Sequence, residues 1–312
     1  MSVSETSITT EDALVERLFG ATVQALDLFG VYLGKKLGLY AALLAGPATP
    51  AEFADRAGIH VRYATEWLEQ QAVAGYLEVA VPSSDGAVRR YALPAGTAAA
   101  LTDPTLGTHV LPFAEMVVGA AGMLPRVAEA YRTGKGISFS EYPEDCRIGQ
   151  GGINRPGFST DLVDSWVPAA PGLVEKLTAG TRVADVGCGA GWAAIALATA
   201  FPGSDVIGFD LDADSIADAR ANAASAGSPA TFVHADGDSL SNSGPFGLAL
   251  ILEALHDMSR PDLVLKAVHE ALEPGGSLII ADEKVQPEFT APGDEVERMM
   301  YGWSISWCLV NA

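Results

Sequence analysis

Between Val183 and Trp192 an apolar run carrying one acid, Asp185, passes into glycines at 187, 189 and 191. An alanine-rich, helix-forming stretch from Trp192 to Phe201 follows at once. No other segment constrains the fold as much. The apolar run reads as a buried strand, the alternate glycines as a tight turn without side-chain bulk, and the last stretch as a helix entered directly from the turn. Glycine is needed where the backbone takes a positive φ or must lie against a ligand.

The spacing is G-x-G-x-G. A dinucleotide-binding turn needs its third glycine one position later, where this chain has Trp192, and an indole there blocks a pyrophosphate from the helix end. The next strand, Asp205 to Asp210, ends in an acid 19 positions after Gly191, about where a doubly wound sheet places a carboxylate for ribose hydroxyls. A third run, Ala230 to Gly237, carries Asp236 near its end. Taken singly, Asp212 or Asp236 reads as a helix cap. Three strands each carrying an acid near their C-terminal edge, together with the glycine turn, predict a nucleoside-type cofactor.

Val183 to Trp192 resembles motif I of the class I S-adenosylmethionine methyltransferases. That resemblance, rather than spacing, turns a nucleoside cofactor into S-adenosyl-L-methionine. It implies a cofactor site of Asp185, Gly187, Gly189, Gly191, Asp210, Leu211, Asp236, Gly237 and Glu253, with Asp210 on the ribose and Asp236 on the adenine.

The fourth strand, from Gly247 to Glu253, runs into Leu255-His256-Asp257-Met258-Ser259. His256 falls just past the strand's C-terminal end, beside the point where strand order reverses. An imidazole there can take a proton from a hydroxyl at neutral pH, and Asp282 or Glu283 on the fifth strand can fix its tautomer. The competing reading is a loop histidine capping the next helix, with Asp257 as a cap or loop-positioning residue. The segment resembles the His-Asp motif of plant-type O-methyltransferases. The resemblance implies His256 as general base, with Asp282 close to the spacing of that family's partner acid. His60, His109, His234 and His269 read as structural. No pair has metal-ligand spacing, so no metal is expected.

Upstream, Thr49, Pro50 and Glu52 form a capping-box signature, and two helices joined at Gly58 precede a hairpin turning at Ser83 to Gly86. Helix-turn-helix plus hairpin predicts a winged helix. Residues 1–100 hold 7 Lys/Arg against 11 Asp/Glu, and the would-be recognition helix carries Glu66 and Glu69 against Arg62. Such a helix is a poor reader of DNA. Small-molecule O-methyltransferases use a winged helix to dimerise, so the resemblance implies a homodimer. The stretch from Glu11 to about Leu44 reads as two helices broken near Gly30. Residues 134–156 read as a glycine-rich loop with Phe139, Tyr142 and Asn154 as acceptor-pocket candidates.

The expected architecture is α/β: a winged-helix dimerisation domain over 1–102, a helical connector and substrate lid over 103–170, and a doubly wound Rossmann-like sheet over 171–312. Five parallel strands are legible; the last two strands usual in the family are not, which predicts an exposed sheet edge and reduced stability. The net charge of −20 opposes binding to nucleic acid or anionic lipid. The 3 cysteines are widely spaced, no uninterrupted apolar run reaches membrane-spanning length, and the first residues carry no secretory pattern, so a cytoplasmic location is expected. The expected activity is methyl transfer to a hydroxyl of a small molecule. The alternatives are a ligand-sensing transcriptional regulator and an inactive cofactor-binding remnant.

Overall fold

The computed structural model describes residues Thr10–Asn311; the polar leader lies, up to residue 9, outside the described residues. The chain divides into two compact units. One comprises the residues up to Asp103 with Thr108–Ala114, the other Pro104–Gly107 with the chain from Glu115 onward. Most of the expected connector belongs to the second unit and forms no third body.

In the first unit the expected pair is present as helices Glu11–Lys36 and Leu39–Ala42, but the break falls at Leu37 and Gly38. Gly30 does not interrupt the first helix. A Cβ on Gly30 would overlap the Gln70 and Gln71 side chains, and one on Gly34 the rings of Tyr40 and Trp67. Both glycines let helix Val61–Val73 cross closely, and the Trp67 indole donates to the Gly30 carbonyl at 2.9 Å. A helix-interior glycine costs about 1 kcal/mol against alanine; the close crossing offsets it. The capping box at Thr49 is present, with Thr49 Oγ1 accepting from Glu52 N–H and Glu52 Oε2 accepting from Thr49 N–H. Helix Pro50–Ala57 ends at Gly58 in a left-handed conformation. His60, expected within a helix, instead caps Val61–Val73 by accepting from Arg62 N–H. Strands β1 (Glu78–Val81) and β2 (Arg90–Ala92) pair antiparallel, and Ala48 bridges to Tyr91, which completes the winged helix. The wing arginines are engaged: Arg89 with Glu69 at 2.9 Å and Arg90 with Glu52 at 2.7 Å.

The second unit is built on β3 (Arg182–Val186), β4 (Asp205–Asp210), β5 (Thr231–His234), β6 (Phe246–Leu252) and β7 (Leu272–Ala281). All four pairings are parallel and the order is β5-β4-β3-β6-β7. Strand alternation sends residues to two cores. Val183, Leu248, Leu250 and Leu252 pack with helices Leu173–Ala179, Trp192–Ala200 and Ala213–Ala226. Ala184, Val186, Ala249 and Ile251 pack with helix Pro261–Ala271 and the turn Gly237–Asn242. Strand β6 is buried throughout, as a strand covered on both faces must be. Strand order reverses between β3 and β6, so the C-terminal ends of those strands flank the crevice where open α/β sheets bind ligands.

Residues 144–169, partly expected as loop, form one helical run: Glu144–Pro156, a π-helical segment Gly157–Trp166, and Val167–Ala169. Pro156 lacks an N–H and its ring crowds the preceding turn; the wider π-turns that follow accommodate it. The glycines here pack rather than bend. A Cβ on Gly149 would lie 2.7 Å from Met116 N, and one on Gly151 2.9 Å from Ala190 Cβ. Helix Leu111–Thr133 is long and apolar enough to cross a membrane, the one such helix among the described residues. Counting uninterrupted apolar runs did not reveal it. Half of its apolar window is buried, and Met116, Met123 and Val127 pack with Trp307, so it serves as a core helix. After β7 the described chain forms helix Glu295–Trp303 and a π-turn Ser304–Cys308; among the described residues β7 has no strand on its outer edge.

Candidate active site

The glycine turn closes β3. Gly187, Gly189 and Gly191 have φ of 74°, 49° and 79°. At Gly187 and Gly191 a side chain would also collide, with Ala254 Cβ at 2.8 Å and with the Phe232 ring at 2.7 Å. Gly189 differs: a Cβ there meets nothing within 4 Å, so its backbone borders open space. The Asp210 carboxylate holds the turn, accepting from Gly189 N–H and Asp212 N–H at 2.8 Å each. Burial raises its pKa against those two bonds. Each oxygen keeps a lone pair for a further donor. Leu211 beside it exposes 68% of its surface, an apolar platform next to a carboxylate. Asp185 is 2% exposed, and its Oδ2 is buried without a partner. Burial pushes its pKa up to about 7, the Asp210 charge adding to the rise and the Ala194 N–H opposing it.

A second group stands at the ends of β6 and β7. Glu253, with φ of 50°, is the only non-glycine residue at positive φ among the described residues, a strain of roughly 1–3 kcal/mol. Its N–H donates to the Ala281 carbonyl at 2.8 Å. Burial pushes its pKa up to about 7, and Glu283 and Asp282 push the same way. His256 lies in the 3-10 turn Leu255–Asp257. Its Nδ1 is 2.5 Å from Asp282 Oδ1; its Nε2 is 3.4 Å from Asp257 Oδ1 and 3.5 Å from Glu283 Oε2. Burial disfavours the imidazolium, but Asp257, Glu283 and Asp282 outweigh it and raise the pKa.

Residues 183–276 match a family model described as a methyltransferase domain. The ubiquinone biosynthesis O-methyltransferase of Ruegeria pomeroyi is 30% identical over 115 residues, covering 36% of this chain and 46% of that protein. Its counterpart in Pseudomonas aeruginosa is 27% identical over 126 residues, covering 40% and 51%. These matches span about half the length of those relatives. Among solved structures, the mitomycin 7-O-methyltransferase MmcR superposes with a TM-score of 0.66 at 19% identity, covering 96% of this chain and 87% of that one. Human N-acetylserotonin methyltransferase in complex with SAM gives 0.66 at 18%, covering 100% and 88%. The sheet has the fold of these methyltransferase structures, and the sequence match lies within it, over residues 183–276.

Within this sheet, Asp185, the three glycines, Asp210 and Leu211 gather at the ends of β3 and β4, while Glu253, His256 and Asp282 gather at the ends of β6 and β7. Asp236 is an exposed N-cap that accepts from Asp238 N–H at 3.3 Å, and Gly237 packs on Val186 and Val264. Asp257 does not cap helix Pro261–Ala271, whose N-cap Arg260 makes no side-chain cap bond. Tyr142 is buried and Phe139 packs on Trp307, while Asn154 lies in a helix. Several supports escaped the sequence reading. Asn222 donates to the Ala190 carbonyl at 3.0 Å, His234 Nε2 is 2.8 Å from the Leu211 carbonyl, and the Arg155 guanidinium covers the Trp192 ring at 4.0 Å. Each reaches the turn after β3 or β4 from another element, helix Ala213–Ala226, β5 or helix Glu144–Pro156, and a linear motif carries none of that.

The Asp185 carboxyl generates a pH prediction. Its folded-state pKa of about 7 lies above the ordinary aspartate value of 3.8, so the native state binds the extra proton between those values and stability falls as pH rises through that window. Asp185→Asn removes the penalty. The variant should melt above wild type near ~pH 8, with the gap closing by ~pH 4. Thermal melts across pH read this directly; a gap independent of pH contradicts the assignment.

Proposed function

We propose that the chain is an S-adenosyl-L-methionine-dependent methyltransferase acting on a hydroxyl of a small molecule. The observation that carries this reading is the His256–Asp282 pair at the crevice beside the glycine turn. The residues fit the cofactor: Gly189 borders open space, Asp210 keeps acceptor capacity for ribose hydroxyls, Leu211 offers an apolar surface to the nucleoside, and the orphaned Asp185 oxygen lies beneath the turn. Bound there, the sulfonium supplies an electrophilic methyl group. An acceptor hydroxyl that takes that methyl group would give its proton to His256 Nε2. Asp282 accepts from Nδ1–H, which leaves the Nε2 lone pair for that proton and stabilises the imidazolium that results. Positioning supplies most of the rate.

The first unit acts as a dimerisation module. Helix Glu11–Lys36 exposes Leu14, Leu18, Phe19, Leu26 and Leu33, with Phe19 at 70%, and the partner suited to such a stripe is the same stripe on a second copy. A DNA-reading role finds no support, since Arg89 and Arg90 already pair with Glu69 and Glu52.

With an acceptor found by screening hydroxylated small molecules against methyl-labelled cofactor, His256→Ala should lower kcat by about 10²–10⁴-fold and leave S-adenosylhomocysteine affinity unchanged. Full turnover in the variant removes His256 from the chemistry. Sedimentation should give a dimer for wild type and a folded monomer for Phe19→Asp; a monomeric wild type rules out the module's role.

A further inference from the structure

The carboxylates at the ends of β6 and β7 outnumber the cations. Glu253, Asp257, Asp282 and Glu283 surround a single imidazole. Nδ1 of that imidazole is taken by Asp282. Nε2 faces Asp257 Oδ1 at 3.4 Å and Glu283 Oε2 at 3.5 Å, both too long for good hydrogen bonds. Asp257 Oδ1 is buried with no hydrogen-bond partner at all. A further group comes from a segment distant along the chain. Cys308, in the π-turn Ser304–Cys308, places its Sγ within 4.8 Å of the His256 and Asp257 ligand atoms. Tyr142, 7% exposed, adds a second buried oxygen without a partner.

The separations that are wrong for hydrogen bonds are right for a metal. Two ligand atoms each about 2.1 Å from a tetrahedral ion lie about 3.4 Å apart. A carboxylate on Nδ1–H is the usual partner that orients a metal-bound imidazole, and Asp282 fills that place. One imidazole nitrogen, one carboxylate oxygen and one sulfur form a mixed set of the kind that zinc accepts.

We propose that His256 Nε2, Asp257 and Cys308 form a binding site for a thiophilic divalent cation of the zinc type. The Cys308 thiol releases its proton to solvent as the sulfur binds the ion. The ion closes on the base instead of activating an acceptor. It occupies the lone pair assigned above to the acceptor's proton, and methyl transfer is switched off while it is bound. That consequence rests on the reading of His256 as base; the binding does not.

Cobalt titration of the full chain tests it, because a cobalt–thiolate bond has its own charge-transfer absorption. One equivalent of Co²⁺ should produce that absorption, Zn²⁺ should abolish it by displacement, and Cys308→Ser should lack it. Asp257→Asn should bind Zn²⁺ at least ~10-fold more weakly. A folded wild type with no thiolate absorption overturns the proposal. So does weak binding that Cys308→Ser leaves unchanged, which marks surface carboxylates only. S-adenosylhomocysteine affinity measured on the same samples reports separately on the cofactor site. A chain that binds cobalt through Cys308 but not the nucleoside keeps the metal site and loses the methyltransferase.

Discussion

Two bonds from one carboxylate hold the centre of this protein. Asp210, at the last position of β4, accepts from Gly189 N–H in the turn after β3 and from Asp212 N–H at the start of the next helix. The turn can present its backbone that way only because Gly187, Gly189 and Gly191 all take positive φ, and two of those positions have no room for a Cβ. The packing around the turn serves the same end. Phe232 and Ala219 fill the space against Gly191, Gly151 brings the connector helix onto Ala190, and Asn222 secures the Ala190 carbonyl. Removing the bulk that these positions exclude leaves one face of the turn, at Gly189, against open space. A nucleoside cofactor fits on that face.

The other half of the crevice is governed by charge. Four carboxylates crowd one imidazole; burial first, and the neighbouring carboxylates after it, raise the pKa values of Glu253 and Asp257, and the Glu253 backbone is left-handed. Strain and charge surplus collected at one place are paid for by the buried sheet beneath it. A group that takes a proton, an acceptor that brings a cationic centre, or a metal ion would each relieve the surplus. The 3.4–3.5 Å spacing about His256 Nε2 and the nearness of Cys308 favour the ion.

The strand-turn-helix from Val183, the acid ending β4 and the histidine after β6 were legible in the sequence because each is fixed by local chemistry: apolar runs, obligatory glycines, and a polar residue directly after a buried strand. The helices were harder. Gly30, Gly149 and Gly151 read as breaks or loop when the residues that approach them are unknown, and each proves to be a point of close contact inside a helix. The loop expected up to Pro156 is helix Glu144–Pro156, continued by a π-helical segment. The metal-ligand set was invisible for another reason. Its members come from the turn after β6 and the π-turn near residue 308, so no spacing along the chain announces them.

The central claim is that the crevice at the glycine turn holds the cofactor, and calorimetric titration with S-adenosylhomocysteine tests it most directly. Wild type should bind one equivalent at micromolar affinity. Asp210→Ala, checked by circular dichroism for an intact fold, should bind at least ~10-fold more weakly, since hydrogen bonds to a charged group contribute about 1.5–3 kcal/mol. A folded wild type that takes up no nucleoside, or an Asp210→Ala variant that binds equally well, contradicts the account.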